Sequence, residues 1–132
     1  MSGEINLATL ISTMQPVLNE GEYVFCYVKD LDNIDFDQLL FHFKENEGIT
    51  IVVGKEYADS INLDYKSVFS WISLEVHSSL NAVGLTAAFS NALYEEGISC
   101  NVVAAFYHDH IFVARGDAEH AMETLQKLST GR

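Results

Sequence analysis

The stretch that decides the fold runs from Val76 to Phe112 and reads VHSSLNAVGLTAAFSNALYEEGISCNVVAAFYHDHIF. Its pattern predicts a strand, a glycine-bearing loop, an amphipathic helix and two further strands. Gly97 is expected just past the C-terminal end of the helix. The apolar stripe of the helix, with spacings of three and four residues, consists of Leu85, Ala88, Phe89, Ala92 and Leu93.

The elements around this stretch complete the second half of the chain. Tyr107 to His110 are predicted to form a hairpin turn, and Asp117 is predicted as the N-cap of a last helix. The order β-α-β-β-α predicts a mixed sheet with helices on one face. The first strand alternates, with one side formed by Val68, Ile72, Leu74 and Val76 and the other by Phe69, Trp71, Ser73, Glu75 and His77.

The first half is predicted as α-β-α-β. A helix from Leu7 should end near Met14 or Gln15, because Pro16 restricts the residue before it. Tyr23 to Val28 is apolar on both faces, which is typical of a covered strand. The spacing of Phe36, Leu39, Leu40 and Phe43 predicts a second helix with Asp35 as its N-cap. A strand over Ile49 to Val53, a short helical turn and a linker over residues 62–66 follow.

The totals of the sequence restrict the class of protein. The chain has 132 residues, of which 48% are hydrophobic, so it can bury a core as one ordinary domain or two very small ones. Its 19 acidic residues outnumber 7 basic ones and give a net charge of −12. Phosphate contacts need clustered Lys and Arg, so we expect no nucleic-acid partner. No apolar run reaches membrane-spanning length, so we expect no membrane partner either.

The two cysteines bear on the compartment. Cys26 and Cys100 lie within apolar runs and far apart in the sequence. Buried free thiols are typical of proteins in a reducing environment, so we expect the protein to be cytoplasmic.

The glycine-bearing loop is the strongest candidate for a binding site. Gly84 lets the backbone approach a ligand closely, and the amides of Leu85, Thr86 and Ala87 should point outward at the start of the helix. Such amides can hold the carboxylate of a small ligand without a catalytic side chain. The alternative is that Gly84 only makes a tight turn and Thr86 only caps the helix. The predicted ligand-binding residues are Ser79, Asn81, Ala82, Val83, Gly84, Leu85, Thr86 and Asn101.

Several motifs in their order and spacing resemble the ACT-domain family. The motifs are NAVGLT at residues 81–86, Leu93, GIS at residues 97–99 and HIFV at residues 110–113, and the resemblance covers roughly residues 68–129. The chain is similar in particular to small bacterial proteins made of two ACT-like halves, related to the aspartate-kinase type of repeat. Asn81 and Val83 stand where the family often has aspartate and proline.

The resemblance implies an α+β, ferredoxin-like fold of two βαββαβ-type halves, with helices on one face of mixed or antiparallel sheets. Residues 1–66 would form a diverged ACT-like half and residues 67–132 the C-terminal ACT domain. It also implies a non-catalytic regulatory protein without a cofactor. Such a protein binds a small molecule, by resemblance an amino acid, and we expect it to be a homodimer.

Other functions remain open at this level. A structural or interaction subunit with a vestigial pocket is the main alternative, since Phe69 and Trp71 could mark an interface. His108 and His110 could bind a metal, with His77 near them, although a turn between them would spoil that geometry. A nucleophilic triad around Cys100 is disfavoured because the apolar strand should raise its pKa. We therefore expect no enzyme, no catalytic residue and no metal site.

Overall fold

A computed structural model describes residues 6–76 and 84–131 of the chain. The chain divides into two compact units, and the second is inserted in the sequence of the first. Unit 1 comprises Met1–Asn19 and Ser70–Arg132, and unit 2 comprises Glu20–Phe69. The division of the sequence into family halves at residues 66 and 67 stays a prediction.

The described elements alternate between short helices and strands. Single turns of 3-10 helix lie at Phe36–Gln38 and Arg115–Asp117. In chain order the elements are α1 (Leu7–Thr13), β1 (Gln15–Leu18), β2 (Tyr23–Val28), β3 (Leu39–Lys44), β4 (Ile49–Gly54), α2 (Lys55–Ser60), β5 (Phe69–Glu75), α3 (Leu85–Glu95), β6 (Cys100–Ala104), β7 (Asp109–Ala114) and α4 (Ala118–Thr130).

The sheet of unit 1 has the order β1-β5-β7-β6. β1 runs antiparallel to β5 and places Pro16 opposite Leu74, which suits proline because a short strand at the margin of a sheet can lack one amide donor. β6 and β7 form an antiparallel hairpin in which Cys100 lies opposite Val113. The turn between these strands spans residues 105–108, so the predicted turn at Tyr107 to His110 is two residues too late.

The core of unit 1 lies between this sheet and the helices α1, α3 and α4. Phe89 of α3 and Leu125 of α4 are fully buried there, and the burial of Phe89 agrees with the predicted apolar stripe of α3. Alternation along β5 and β7 supplies the opposing surface. The buried cluster consists of Leu10, Met14, Ile72, Leu74, Val76, Leu85, Phe89, Leu93, Ile98, Ile111, Val113, Ala121 and Leu125.

Unit 2 contains the antiparallel strands β3, β4 and β2 in that order, with α2 packed on one face. β2 and β4 are in register from Tyr23 opposite Gly54 to Val28 opposite Ile49. Tyr23 also has Phe69, the last residue of unit 2, as a register partner. The buried residues on the α2 face are Val24, Cys26, Ile51, Val53 and Ala58.

The helix predicted from Phe36 to Phe43 is wrong. Only Phe36–Gln38 forms a helical turn, and Leu39–Lys44 is the strand β3. Asp35 does cap that turn, since its side chain accepts a 2.9 Å hydrogen bond from the Asp37 amide. The segment pairs with β4 through a register shift between Leu39 and Phe41, so tertiary pairing overrides the helix-like spacing.

Candidate functional site

Gly84 is the N-cap residue of α3 and adopts a left-handed conformation with φ of +94°. A side chain is strained in this region of backbone space. A Cβ atom at this position would also lie 3.1 Å from Cδ2 of Leu7, at the start of α1. Both the conformation and the close approach of α1 therefore require glycine at this turn.

The first turn of α3 presents backbone amides that no side chain of the described residues caps. The first helical bond runs from the Ala88 amide to the Gly84 carbonyl at 2.9 Å. Leu85 is buried and anchors the turn, whereas Thr86 and Ala87 are exposed. No acidic residue occupies this first turn. A helix start with no side-chain cap and no acidic residue in its first turn favours a bound anion.

The other predicted ligand-binding residues have different outcomes. Thr86 is not the cap, because Gly84 holds the N-cap position, while the Thr86 carbonyl accepts the Ser90 hydroxyl at 2.6 Å. Asn101 lies on β6, and its side-chain amide donates to the Phe112 carbonyl at 3.3 Å. Because β7 lies between β5 and β6, a contact from Asn101 to a ligand at the turn stays a prediction. The residues Ser79, Asn81, Ala82 and Val83, with His77, lie outside the described residues.

A second concave surface lies within unit 2. It is a cavity of about 470 Å³ where β2 ends and the following loop begins. Lys29, Asp30 and Asn33 supply its polar groups, and no ion pair of Lys29 is found in the described part of the chain. Its apolar wall consists of Val28, Ile34, Ile61 and Leu63. A volume of this size can hold a small metabolite.

Sequence reasoning missed a polar network in unit 1, on the face of β5 opposite the helices. The indole N–H of Trp71 donates to Nδ1 of His110 at 2.9 Å, and the Ser73 hydroxyl lies 3.2 Å from the same nitrogen. The Asn19 side-chain amide donates to the Ser73 hydroxyl at 2.9 Å. The alternation along β5 correctly predicted that Trp71 and Ser73 share one face. His110 was predicted to lie in the hairpin turn and not in β7, so its position beside them could not be predicted.

This network fixes the protonation state of His110. An indole nitrogen can only donate, so Nδ1 of His110 accepts and the neutral ring carries its proton on Nε2. Burial lowers the pKa of His110, the neighbouring His108 lowers it further, and Asp109 opposes both. Burial raises the pKa of Asp109, against the effect of the two histidines. His110 is therefore held neutral at physiological pH.

The geometry gives no support to catalysis at these groups. Ser73 and His110 are close enough to suggest a nucleophile and its base, but Trp71 occupies the same nitrogen and Ser73 is only 6% exposed. Burial raises the pKa of the Cys100 thiol, and burial followed by the charge of Asp64 raises that of Cys26. Both thiols therefore stay protonated and weakly nucleophilic at neutral pH.

The metal-binding alternative gains no support either. Within residues 6–76 and 84–131, no three His, Cys, Asp or Glu side chains are grouped as metal ligands. Nδ1 of His110 already accepts from Trp71. Nδ1 of His108 is buried and has no hydrogen-bond partner among the described residues. Zinc usually has at least three protein ligands, whereas only two imidazoles are present here, and Nδ1 of one of them already accepts a hydrogen bond.

Comparison with known proteins identifies the family. Two ACT-domain models match the chain, one over residues 2–70 and the other over residues 66–127. The chain belongs to the ACT-domain family. Among curated proteins the comparison found no significant match.

Solved structures agree with this assignment. A Vibrio cholerae protein of unknown function, called a possible transport protein, is 43% identical, with a TM-score of 0.85 over 93% of this chain and 95% of that one. The Thermus thermophilus aspartate kinase regulatory subunit is similar in fold, with 9% identity and a TM-score of 0.64 over 89% of this chain and 97% of that one. Clostridium acetobutylicum aspartate kinase has 13% identity and a TM-score of 0.66, over 98% of this chain but 36% of that one.

These findings confirm the α+β, ferredoxin-like, tandem ACT-type fold that the sequence predicted. The match to ACT-domain models suggests a small-molecule-binding regulatory role. Among the described helices, none has the length and apolar character needed to cross a membrane.

Proposed function

We propose that this protein is a non-catalytic cytoplasmic sensor that binds a small carboxylate-bearing metabolite, by family an amino acid, and acts as a homodimer. The ligand carboxylate would accept hydrogen bonds from the amides of Leu85, Thr86 and Ala87, beside Gly84. The observation that carries the proposal is the left-handed Gly84, which opens α3 without a side-chain cap. Ser79, Asn81, Ala82 and Val83, together with Asn101, would complete the site.

The regulatory mechanism we propose is thermodynamic. A ligand shifts an equilibrium between two arrangements only by its difference in affinity for them. A metabolite bound at the turn before α3 would favour one arrangement of the subunits, and the coupling would be reciprocal. Signalling then needs no chemical step, which agrees with the engaged Ser73 and the protonated thiols.

The test is a thermal-shift screen of the wild type against the proteinogenic amino acids and their 2-oxo acids. A ligand at about one hundred times its Kd adds about 2.7 kcal/mol to the free energy of unfolding. We expect a hit in the wild type that is lost in Gly84→Val. Gly116→Val is the matched control, because a Cβ atom there meets nothing within 4 Å and the backbone is unstrained.

A third variant separates the turn from the cavity of unit 2. Lys29 lines that cavity, whereas Lys66 is an exposed lysine outside its lining. If Lys29→Gln abolishes the shift while Gly84→Val and Lys66→Gln retain it, the ligand binds in unit 2 and our site assignment is wrong. If nothing in the panel shifts the wild type, the sensor proposal fails and a structural or interaction subunit becomes the better account.

A further inference from the structure

Hydrogen bonds join the two segments of unit 1 where the chain leaves for unit 2 and where it returns. The chain leaves unit 1 after Asn19 and returns to it at Ser70. The backbone amide of Asn19 donates to the Trp71 carbonyl at 2.9 Å, and its side-chain amide donates to the same carbonyl at 3.3 Å. The Asn19 side chain also donates to the Ser73 hydroxyl at 2.9 Å. Three hydrogen bonds therefore connect the end of one segment to the beginning of the other.

Trp71 is also attached through its side chain. Its indole N–H donates to Nδ1 of His110 on β7 at 2.9 Å, and the centroids of the two rings are 5.7 Å apart. An indole N–H can only donate, so this bond exists only while Nδ1 carries no proton. A proton on Nδ1 would bring two N–H groups together and break the bond. The attachment of the indole to β7 therefore depends on the charge of one histidine.

Ser73 offers the protonated ring a different partner. Its hydroxyl oxygen lies 3.2 Å from the same Nδ1 atom of His110. A hydroxyl oxygen has two lone pairs, and Asn19 donates to one of them. The imidazolium can therefore donate from Nδ1 to Ser73, whereas the neutral ring accepts from Trp71. Nδ1 thus has a partner in both charge states, and the two arrangements differ in which residue of β5 it is bonded to.

The charged groups around His110 belong mainly to its own hairpin. Burial lowers the pKa of His110 most, His108 lowers it further, and Asp109 opposes both. The strands β1 and β6, with the sequences QPVL and CNVVA, contain no acidic or basic residue, and the thiol of Cys100 packs on the helix side of the sheet. β5 presents Glu75 on the face of the network, where it is exposed. Among the described residues of unit 1, burial and the two chain neighbours therefore govern this titration.

We propose that His110 is a pH-operated switch whose protonation transfers Nδ1 from the Trp71 indole to the Ser73 hydroxyl. The transfer releases the side chain that fastens the chain at its return to unit 1. A histidine that biases two alternative arrangements is a common element of pH switches. The hydrogen bonds of Asn19 persist in both states, so the change is a local one and unit 1 stays folded. The switch requires no ligand, and its test is independent of the proposed function.

The experiment is an NMR titration of the ¹⁵N-labelled full chain from about pH 8 to about pH 4, a range that spans the ordinary histidine pKa of about 6.5. Trp71 is the single tryptophan of the sequence, so its indole N–H gives one resonance. The ring nitrogens of His110 report which of them carries a proton. We expect the indole resonance to shift with the same midpoint as the His110 ring, while the amides of Phe89 and Leu125 in the core keep their positions.

Two outcomes in the wild type would overturn the proposal. An indole resonance that does not follow the titration of His110 would show that the two groups are not linked. A simultaneous change of the indole and of the core amides would show that the whole unit unfolds and that no local switch operates.

Two variants should move the midpoint in opposite directions. Trp71→Phe removes the donor to the neutral ring, so the apparent pKa of His110 should rise. Ser73→Ala removes the acceptor of the imidazolium, so the apparent pKa should fall. The net value of one hydrogen bond corresponds to a change of about 0.4 to 1.1 in each case. Ser90→Ala is the matched control and should change nothing, because the Ser90 hydroxyl donates to the Thr86 carbonyl within α3.

The direction of the change in Ser73→Ala is decisive. A rise would show that Ser73 donates to the neutral ring and is not the partner of the imidazolium. That result, an unchanged midpoint in Ser73→Ala, or the absence of a rise in Trp71→Phe would each overturn the proposal. Dispersed amide resonances establish that each variant is folded, and the titration of the wild type decides the matter for a variant that is not.

Discussion

The indole nitrogen of Trp71 on β5 donates a 2.9 Å hydrogen bond to Nδ1 of His110 on β7. The Ser73 hydroxyl shares that nitrogen, and Asn19 supports Ser73 from the end of β1. A polar network thus links neighbouring strands of unit 1 on the face without helices. Partly buried networks of this kind stabilise one arrangement when satisfied and are costly when broken.

The first prediction concerns pH. Because the pKa of His110 is lower in the folded state than its ordinary value of 6.5, the unfolded chain binds more protons between these two values. The contribution of His110 to stability is therefore complete above about pH 6.5 and is lost as the pH falls to its folded-state pKa. The pKa of Asp109 is raised from its ordinary value of 3.8, so its contribution to stability has the opposite sign. That contribution is lost as the pH rises from 3.8 to the folded-state pKa of Asp109. Urea unfolding of the wild type should show stability decreasing below pH 6.5.

His110→Gln removes this titration and provides the second prediction. At neutral pH we expect a loss of about 1–3 kcal/mol, because the hydrogen bond from the Trp71 indole N–H to the His110 imidazole is lost. The stability of the variant should depend less on pH than that of the wild type between pH 5 and 7, a range chosen around the ordinary histidine pKa of about 6.5. His120→Gln is the control, since His120 bridges Glu96 at 2.9 Å on an exposed surface. A pH profile of His110→Gln parallel to that of the wild type would refute the role of His110.

The third prediction concerns Gly48, which lies in the turn between β3 and β4, next to the ring of Tyr27. A Cβ atom on Gly48 would clash with Cε1 of Tyr27, and φ at this residue is +154°. We expect Gly48→Ala to destabilise unit 2 by more than about 1 kcal/mol through strain and overpacking. Thermal unfolding measures this, and Tyr27→Ala in the same chain should recover part of the loss. Equal losses in the single Gly48→Ala and double variants would show that the ring is not the cause.

The fourth prediction compares two aromatic residues of α3. Phe89 is fully buried in the core of unit 1, whereas Tyr94 is 77% exposed. Phe89→Ala should cost about 3–5 kcal/mol in the free energy of unfolding, because it creates a cavity. Tyr94→Ala on the same helix should change it by less than about 0.5 kcal/mol. Denaturant unfolding of both variants checks the packing of α3, and similar losses would contradict it.

Much of unit 1 was predictable because its helices are periodic and bounded by clear signals. The stripe from Leu85 to Leu93 and the end of α3 before Gly97 are confirmed, as is the end of α1 before Pro16. Asp117 does occupy the N-cap position of α4, but its side chain makes no capping hydrogen bond. The local sequence therefore predicted where the helices end, but it did not predict whether a side chain makes a capping hydrogen bond there.

Unit 2 was harder to predict because its strands are short and apolar. Phe36, Leu39, Leu40 and Phe43 have helical spacing, yet pairing with β4 decides the structure of this segment. Such pairing joins residues across a hairpin and leaves no periodic signal of its own. The same limit applies to the network of Trp71, Ser73 and His110, which depends on two strands that are far apart in the sequence.

The central claim is that the amides opening α3 bind the carboxylate of a ligand, and amide chemical shifts test it most directly. A ¹⁵N-labelled sample of the full chain would be titrated with the amino acid that the thermal screen identifies. We predict that the amides of Leu85, Thr86 and Ala87 shift the most and saturate with a single Kd. Saturable shifts that leave these amides unchanged and map to Val28 through Ile34 would contradict the account.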